Sequence, residues 1–240
     1  MLNPLIWHYL LFFFIASCLG WIMEVTCKLI QFHRFINRGF LIGPYCPIYG
    51  FGAVTVTALL SRYEGEPVTV FVLAMALCGT LEYLTSYLME KLFHARWWDY
   101  SHKRFNLNGR VCADTLIPFG LLGMLMVYVV KPFLFARMDR MPENVLEIVC
   151  LVLMAGFLFD AALSVTVLGK IRKTANLSGE DDTEAIARAV REHLAKNSVL
   201  VRRVLSAFPY ARLYNKSLMQ KIDQRRKEIR QDIERKLKQR

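Results

Sequence analysis

Several short motifs that assign a chain to a familiar class of enzyme or metal protein are missing from this sequence. It contains no CxxC pair, no HExxH motif and no histidine cluster, so the pattern supports no metal site. It has no G-x-x-x-x-G-K-[ST] loop either, which excludes ATP binding through a Walker A motif. Its six cysteines lack paired spacings and lie in or near apolar segments, which is typical of small buried side chains. We predict no cofactor and no bound metal.

Charged residues are absent from long stretches in the first two thirds of the chain. Residues 5–23 contain no Asp, Glu, Lys or Arg, and about 19 apolar residues suffice to cross a bilayer core of ~30 Å as a helix. No basic residue precedes Lys28, which argues against a cleaved secretory signal and for a retained first helix. Hydrophobic residues make up 55% of the 240, a composition typical of a polytopic membrane protein.

Four further apolar segments predict four more helices, at residues 41–61, 67–89, 115–130 and 148–169. We therefore predict an all-α integral membrane protein with five transmembrane helices in residues 1–172, followed by a cytoplasmic helical tail, 173–240. Eleven Lys and Arg residues flank the ends that an N-out, C-in orientation places inside, against four at the other ends. Because cytoplasmic loops carry the excess of basic residues, the N-terminus is predicted to be outside and the C-terminus inside.

Each of the three helices that run inward carries one acidic residue in its inner half: Glu24, Glu82 and Asp160. Ionisable side chains inside a membrane are costly and usually mark a functional site. A glycine lies about one turn before each acid, which lets a neighbouring helix approach closely. We predict that the three carboxylates line a cavity open to the cytoplasm, with Arg38 and Arg110 as counter-charges.

The loop after Glu82 supplies the other candidate ligand-binding residues: Trp97, Trp98, Asp99 and Asn108. The acids and arginines would bind a charged or amphoteric ligand, hold a cation or relay protons. An alternative is that Glu24–Arg38 and Glu82–Arg110 are ion pairs that only fix loops to helices. Paired tryptophans beside a membrane helix are also typical of the headgroup level.

Four blocks of sequence resemble a family of small bacterial membrane proteins, the CmpB-type ABC-transporter permeases. The blocks are GWIMEV (20–25), NRGFLIGPYCPIYGFG (37–52), EYLTSYLMEKLFHARWWDYS (82–101) and FNLNGR (105–110). The resemblance covers roughly residues 5–135 and implies a multi-pass protein of the bacterial inner membrane. It implies a separate ATPase subunit and assigns no role to individual residues.

The tail carries most of the positive charge. Residues 170–240 contain 19 basic and 9 acidic residues, whereas residues 1–169 contain 12 and 11. Apolar residues at helical spacing predict two amphipathic helices, broken at Pro209. They would lie on anionic lipid or pack on a partner. No groove-reading motif indicates nucleic-acid binding.

Three functions remain open on these grounds. The first is a transporter component that handles a small solute or lipid headgroup. The second is a membrane enzyme acting on a lipid or polyprenyl substrate, with Glu82, Glu90, Asp99 or His94 as acid or base and arginines on a phosphate. The third is a structural or regulatory membrane partner. We favour the first, without catalysis, and expect membrane lipid as a partner; a homo-oligomer is compatible with the sequence.

Overall fold

The structure, a computed structural model, describes residues 3–33, 41–93, 95–96, 98–177 and 212–213, and this part of the chain is mostly helical. The all-α prediction is confirmed. The helices are α1 (Pro4–Phe32), α2 (Pro47–Leu60), α3 (Pro67–Phe93), α4 (Ala113–Leu125), α5 (Lys131–Met138) and α6 (Glu143–Leu177). A π-helical turn, Met126–Val130, joins α4 to α5 in one continuous helix.

Within the described part of the chain, four helices are long and apolar enough to cross a membrane: Pro4–Gln31, Pro67–Leu92, Ala113–Met138 and Glu143–Thr166. The helix Ala113–Met138 is longer than the predicted 115–130, and the helix Glu143–Thr166 begins earlier than the predicted 148–169. The remaining predicted span, 41–61, corresponds to α2, which has 14 residues. At 1.5 Å per residue this is about 21 Å, short of a ~30 Å core. A count of five and the N-out orientation stay predictions.

The late start of α2 follows from its prolines. Pro47 has no N–H to give to a helix and is accommodated in the first turn. Pro44 lies three residues earlier and disfavours a helical conformation at Gly43. The backbone N–H of Cys46 donates to the carbonyl of Ser17, at 2.9 Å. Because Ser17 lies near the middle of α1, α2 begins about halfway along that helix.

Short strand pairs form within the connection between α3 and α4, and between that connection and residues 212–213. They are β1 (Ala95–Arg96), β2 (Asn106–Leu107), β3 (Val111–Cys112) and β4 (Arg212–Leu213), with β1 antiparallel to β4 and β2 antiparallel to β3. Asn108 and Gly109 link β2 to β3 with positive φ angles of 54° and 66°. Two left-handed residues make the turn whose twist matches a hairpin, and Asn-Gly is its preferred sequence.

Among the described residues, two buried clusters join α1, α2, α3 and α5 with the π-helical turn. The first joins α2, α3 and the π-helical turn, and contains Val56, Leu60, Val70, Ala74 and Val127. The second joins α1, α2 and α5, and contains Phe12, Ala16, Ala53 and Met138. A smaller cluster of Trp7, Leu146 and Cys150 attaches α6 to α1. This packing leaves α6 at the margin of the bundle, against α1.

The connection between α2 and α3 is tight. Only a 3-10 turn, Ser61–Tyr63, and three further residues separate the two helices. Lys131 Nζ donates to Ser61 Oγ at 2.5 Å, and Tyr128 donates to the Glu64 carbonyl at 3.0 Å. These bonds fix the turn to the π-helical turn and α5.

The predicted tail lies largely outside the described residues. α6 continues through the predicted boundary at residues 172/173 and ends at Leu177. Apart from β4, nothing beyond Leu177 is described, so the two amphipathic helices of the tail stay predictions.

Candidate functional site

A cavity of about 360 Å³ lies between α1, α2, α3 and α4. Most of its lining is aliphatic or aromatic, from residues such as Leu19, Val56, Leu81 and Leu122. Its polar lining residues include two carboxylates and two tyrosines, Glu24, Glu82, Tyr49 and Tyr100, together with Cys78 and Trp98. The described lining includes no Lys, Arg or His.

Glu82 enters this cavity from α3. It is 7% exposed. The Tyr100 hydroxyl donates to its Oε1 at 3.2 Å, and Thr115 Oγ1 lies 3.3 Å from its Oε2. Thr115 Oγ1 also lies 2.8 Å from the Cys112 carbonyl, so its single proton serves two acceptors. Among the described residues, no basic side chain forms an ion pair with Glu82. Its contacts are therefore hydrogen bonds to neutral hydroxyls.

Glu24 reaches the same cavity from α1. The Tyr49 hydroxyl, from the first turn of α2, donates to Glu24 Oε1 at 2.7 Å. The Tyr49 ring fits there because Gly20 has no side chain: a Cβ at Gly20 would lie 2.5 Å from Tyr49 Cβ. The glycine one turn before Glu24 thus allows the close helix approach that its position predicted.

Trp98 and Tyr100 reach the cavity from the loop because the β2–β3 hairpin holds them. Trp98 Nε1 donates to the Arg110 carbonyl at 2.9 Å, and the Tyr100 N–H donates to the Gly109 carbonyl at 2.8 Å. Burial, and then the nearby charge of Glu82, raise the pKa of Tyr100 above its usual value, so its hydroxyl remains a donor at neutral pH.

Arg110 does not pair with Glu82, so that part of the predicted ion pairing is wrong. Its Nη1 lies 3.0 Å from Glu90 Oε2 and 3.2 Å from Ser86 Oγ. Its guanidinium also lies over the rings of Tyr83 and Tyr87, at 5.7 and 5.4 Å from the centroids. The hairpin turn directs Arg110 along α3, about two turns beyond Glu82, and Arg110 fastens the loop to that helix.

Asp160 is not among the residues that line the cavity. Its carboxylate accepts hydrogen bonds from the backbone N–H groups of Ile42 and Gly43, at 2.8 and 2.6 Å. The hydroxyls of Tyr45 and Ser164 also donate to it, at 2.5 and 3.0 Å. Buried backbone groups outside a helix need such partners at membrane depth. Asp160 supplies them for the segment that precedes α2.

The remaining predicted site residues have local roles or lie outside the described part. Asp99 Oδ1 accepts from the backbone N–H and the hydroxyl of Ser101, at 3.0 and 2.5 Å. Asn108 is part of the hairpin turn, and its Nδ2 donates to the Tyr83 hydroxyl at 2.9 Å. Arg38 and Trp97 are not among the described residues, and neither is the alternative acid or base His94. Within the described part, no group of His, Cys, Asp or Glu has the arrangement to hold a metal ion.

The family model described as "Putative ABC-transporter type IV", of CmpB type, matches residues 11–165 of the chain. The chain belongs to this family. The match covers every candidate-site residue named above and confirms the predicted resemblance. It also supports a membrane protein of ABC-transporter type, in agreement with the apolar helices. Neither the curated proteins nor the solved structures include a match.

Of the nine predicted site residues, the structure thus brings Glu24, Glu82 and Trp98 to the cavity of this family member. Two hydroxyl groups at Glu82, those of Tyr100 and Thr115, were not predicted as site residues. They are 18 and 33 residues from Glu82 in sequence, and only the folded hairpin brings them together. An aromatic residue in the loop directly after the acid-bearing helix is the one sequence signal that pointed to Tyr100.

Proposed function

We propose that this protein is the membrane component of an ABC-type transport system, and that the cavity between α1 and α4 handles a small solute or a lipid headgroup. The observation that carries this proposal is a cavity of about 360 Å³ that contains two carboxylates from helices long enough to span a membrane. Carboxylates at such positions are costly and are retained mainly where they serve a substrate or ion pathway.

The break before α2 also supports a transport role. Substrate sites in many transporters are built beside discontinuous helices near the bilayer midplane. Here α2 begins beside Ser17, halfway along α1, and its first turn carries Tyr49, which lines the cavity. In this proposal α2 and the non-helical segment before it form the fifth crossing, with the N-terminus outside, the C-terminus inside and the protein in the bacterial inner membrane.

Energy would come from another subunit. The chain has no Walker A loop, so an ATP-driven cycle requires a separate ATPase. Purification from its host in mild detergent, followed by mass spectrometry, should recover an ATPase in stoichiometric amount. Recovery without any ATPase, from cells that express all neighbouring subunits, would argue against the ATP-driven form of the proposal.

Cys78 allows a direct test of the cavity as a transport pathway because this cysteine lines it. In a variant that keeps only Cys78, a membrane-impermeant maleimide should label the protein in inverted membrane vesicles and not in intact cells. A variant that keeps only Cys150, which is 0% exposed, is the unreactive control. In a cysteine-free background, Glu64→Cys is the reactive control for intact cells and Arg104→Cys, also exposed, is the reactive control for inverted vesicles. A Cys78 that stays unlabelled in both preparations, while each control reacts in its own, would contradict an accessible pathway.

A further inference from the structure

We infer that the cavity binds an organic cation with an apolar body, such as an amine or a quaternary ammonium compound. This inference rests on the proposed transport function and names the chemical class of its substrate. It follows from the charges and the surfaces that line the cavity.

The charge at the cavity is the first argument. Glu82 is more than nine-tenths buried, and its described partners are two neutral hydroxyl groups. A buried carboxylate is stable when a positive charge or a proton compensates it. The described lining offers no Lys, Arg or His, so the charge argument rests on Glu82. A cationic ligand in this cavity would supply the positive charge that compensates the Glu82 carboxylate in place of a proton, whereas an anionic ligand would be repelled.

The apolar lining is the second argument. Alanine, leucine, isoleucine, valine, methionine and phenylalanine residues, among them Leu19, Leu122 and Met126, make up more than half of the lining. A small hydrated metal ion would leave this surface without a partner, whereas an organic cation buries its carbon atoms there. The aromatic rings of Trp98, Tyr49 and Tyr100 line the same cavity, and aromatic rings attract organic ammonium groups.

An isosteric pair of probes separates charge from shape. Phenyltrimethylammonium carries a permanent positive charge, and tert-butylbenzene has nearly the same shape without it. We expect the purified full-length protein to bind radiolabelled phenyltrimethylammonium saturably, and tert-butylbenzene to compete at least tenfold less well. Absence of saturable binding, or equal competition by the neutral compound, would overturn the inference.

Variants locate the binding. Glu82→Gln should weaken the binding of phenyltrimethylammonium by about tenfold or more, and Trp98→Leu by about fivefold, as expected for loss of a charge partner and of an aromatic ring. Glu147→Gln removes an equal charge from an exposed position on α6 and should leave the affinity unchanged. An unchanged affinity in Glu82→Gln would place the bound probe elsewhere and overturn the inference.

A second variant guards against misfolding of Glu82→Gln. Gly52 lines the cavity, and a Cβ there would meet only Cys78 Sγ, at 3.8 Å. Gly52→Leu keeps both carboxylates and fills the cavity, so it should abolish saturable binding; retained binding would contradict the inference. Labelling of Cys78 does not depend on ligand charge. Labelled Cys78 without cation binding would reject this inference alone, whereas unreactive Cys78 would reject the proposed function itself.

Discussion

At the scale of single residues, Asp160 shows how one carboxylate stabilises an irregular segment. Its two oxygens accept from the backbone N–H groups of Ile42 and Gly43 and from the Tyr45 hydroxyl, and also from the hydroxyl of Ser164 on the same helix. In Asp160→Ala the N–H groups of Ile42 and Gly43 lose their acceptor, and each buried unsatisfied group costs about 1–3 kcal/mol. We expect a clear fall in the thermal unfolding midpoint of the purified protein in detergent. Asp160→Asn keeps one acceptor oxygen, so its unfolding midpoint should fall less than that of Asp160→Ala.

Glu147→Ala is the matched control for Asp160, because it removes an exposed carboxylate from the same helix. Its unfolding midpoint should stay close to that of the unmodified protein. If Asp160→Ala unfolds at the same temperature as this control, the carboxylate does not hold the segment before α2.

Arg110 offers a second residue-scale test, because its partner differs from the predicted one. A double-mutant cycle of Arg110→Ala with Glu90→Ala should give a coupling energy of about 1–3 kcal/mol, since both side chains are largely buried and in contact. The same cycle with Glu82→Ala should give less than about 0.5 kcal/mol. The comparison uses free energies of unfolding. A larger coupling energy of Arg110 with Glu82 than with Glu90 would contradict the observed contact and support a Glu82–Arg110 ion pair.

These residues also show where sequence reasoning stops. The three acidic residues could be identified from the sequence because a charged residue inside an apolar helix stands out whatever the fold. The partner of Arg110 could not be identified from the sequence, because it depends on how the Asn108–Gly109 turn directs the next side chain along α3. The role of Asp160 depended on a segment 117 residues away in sequence. Pairings of that kind are set by three-dimensional packing and leave no local pattern.

At the scale of elements, two helix pairs share one arrangement. In the first pair, α1 carries Glu24, and α2 supplies the hydroxyl that meets it. In the second pair, α3 carries Glu82, and Thr115 of α4 lies against it. A glycine about one turn before each acid faces the partner helix, against Tyr49 in the first pair and Leu116 in the second. The cavity lies between these two similar halves.

The contact between α1 and α2 makes a prediction about two neighbouring glycines. A Cβ at Gly50 would lie 2.6 Å from the backbone oxygen of Phe13, which cannot move without shifting α1. Gly50→Ala should therefore destabilise the protein by about 1–3 kcal/mol, the usual cost of overpacking. Gly52→Ala meets only Cys78 Sγ at 3.8 Å, and it should be neutral or stabilise by up to about 1 kcal/mol through helix propensity. Unfolding midpoints of both variants decide this; equal effects would show that α1 and α2 are not in such close contact.

The long helices were predictable because an uninterrupted apolar run has few other solutions in a membrane. The length of α2 was not predictable from the sequence, although Pro44 and Pro47 marked its irregular start. Hydropathy treats residues 41–61 as one run, since neither the non-helical segment nor the helix contains a charged residue. Only the hydrogen bonds to Asp160 and Ser17 distinguish a short helix preceded by a non-helical segment from a full span.

At the scale of the whole molecule, the described contacts place three parts of the chain at one end. His8, near the start of α1, lies 3.0 Å from Asp139, after α5. Tyr128 and Lys131 contact the turn between α2 and α3. The N-terminal end of α1 and the connections at 61–66 and 139–142 should therefore face the same side of the membrane. The basic loop between α3 and α4 should face the other side.

Labelling of introduced cysteines tests this arrangement and its orientation together. In a cysteine-free background, Glu64→Cys and Arg140→Cys should react with an impermeant maleimide in intact cells, because fewer basic residues lie at that end and the positive-inside rule puts it outside. Arg104→Cys, in the loop between α3 and α4, should react only after permeabilisation. If instead Arg104→Cys reacted in intact cells and the other two variants only after permeabilisation, the result would agree with the fold and contradict the N-out orientation. Reaction of Glu64→Cys and Arg140→Cys from opposite sides would contradict the fold itself, because the contacts of Tyr128, Lys131 and His8 hold both connections at one end.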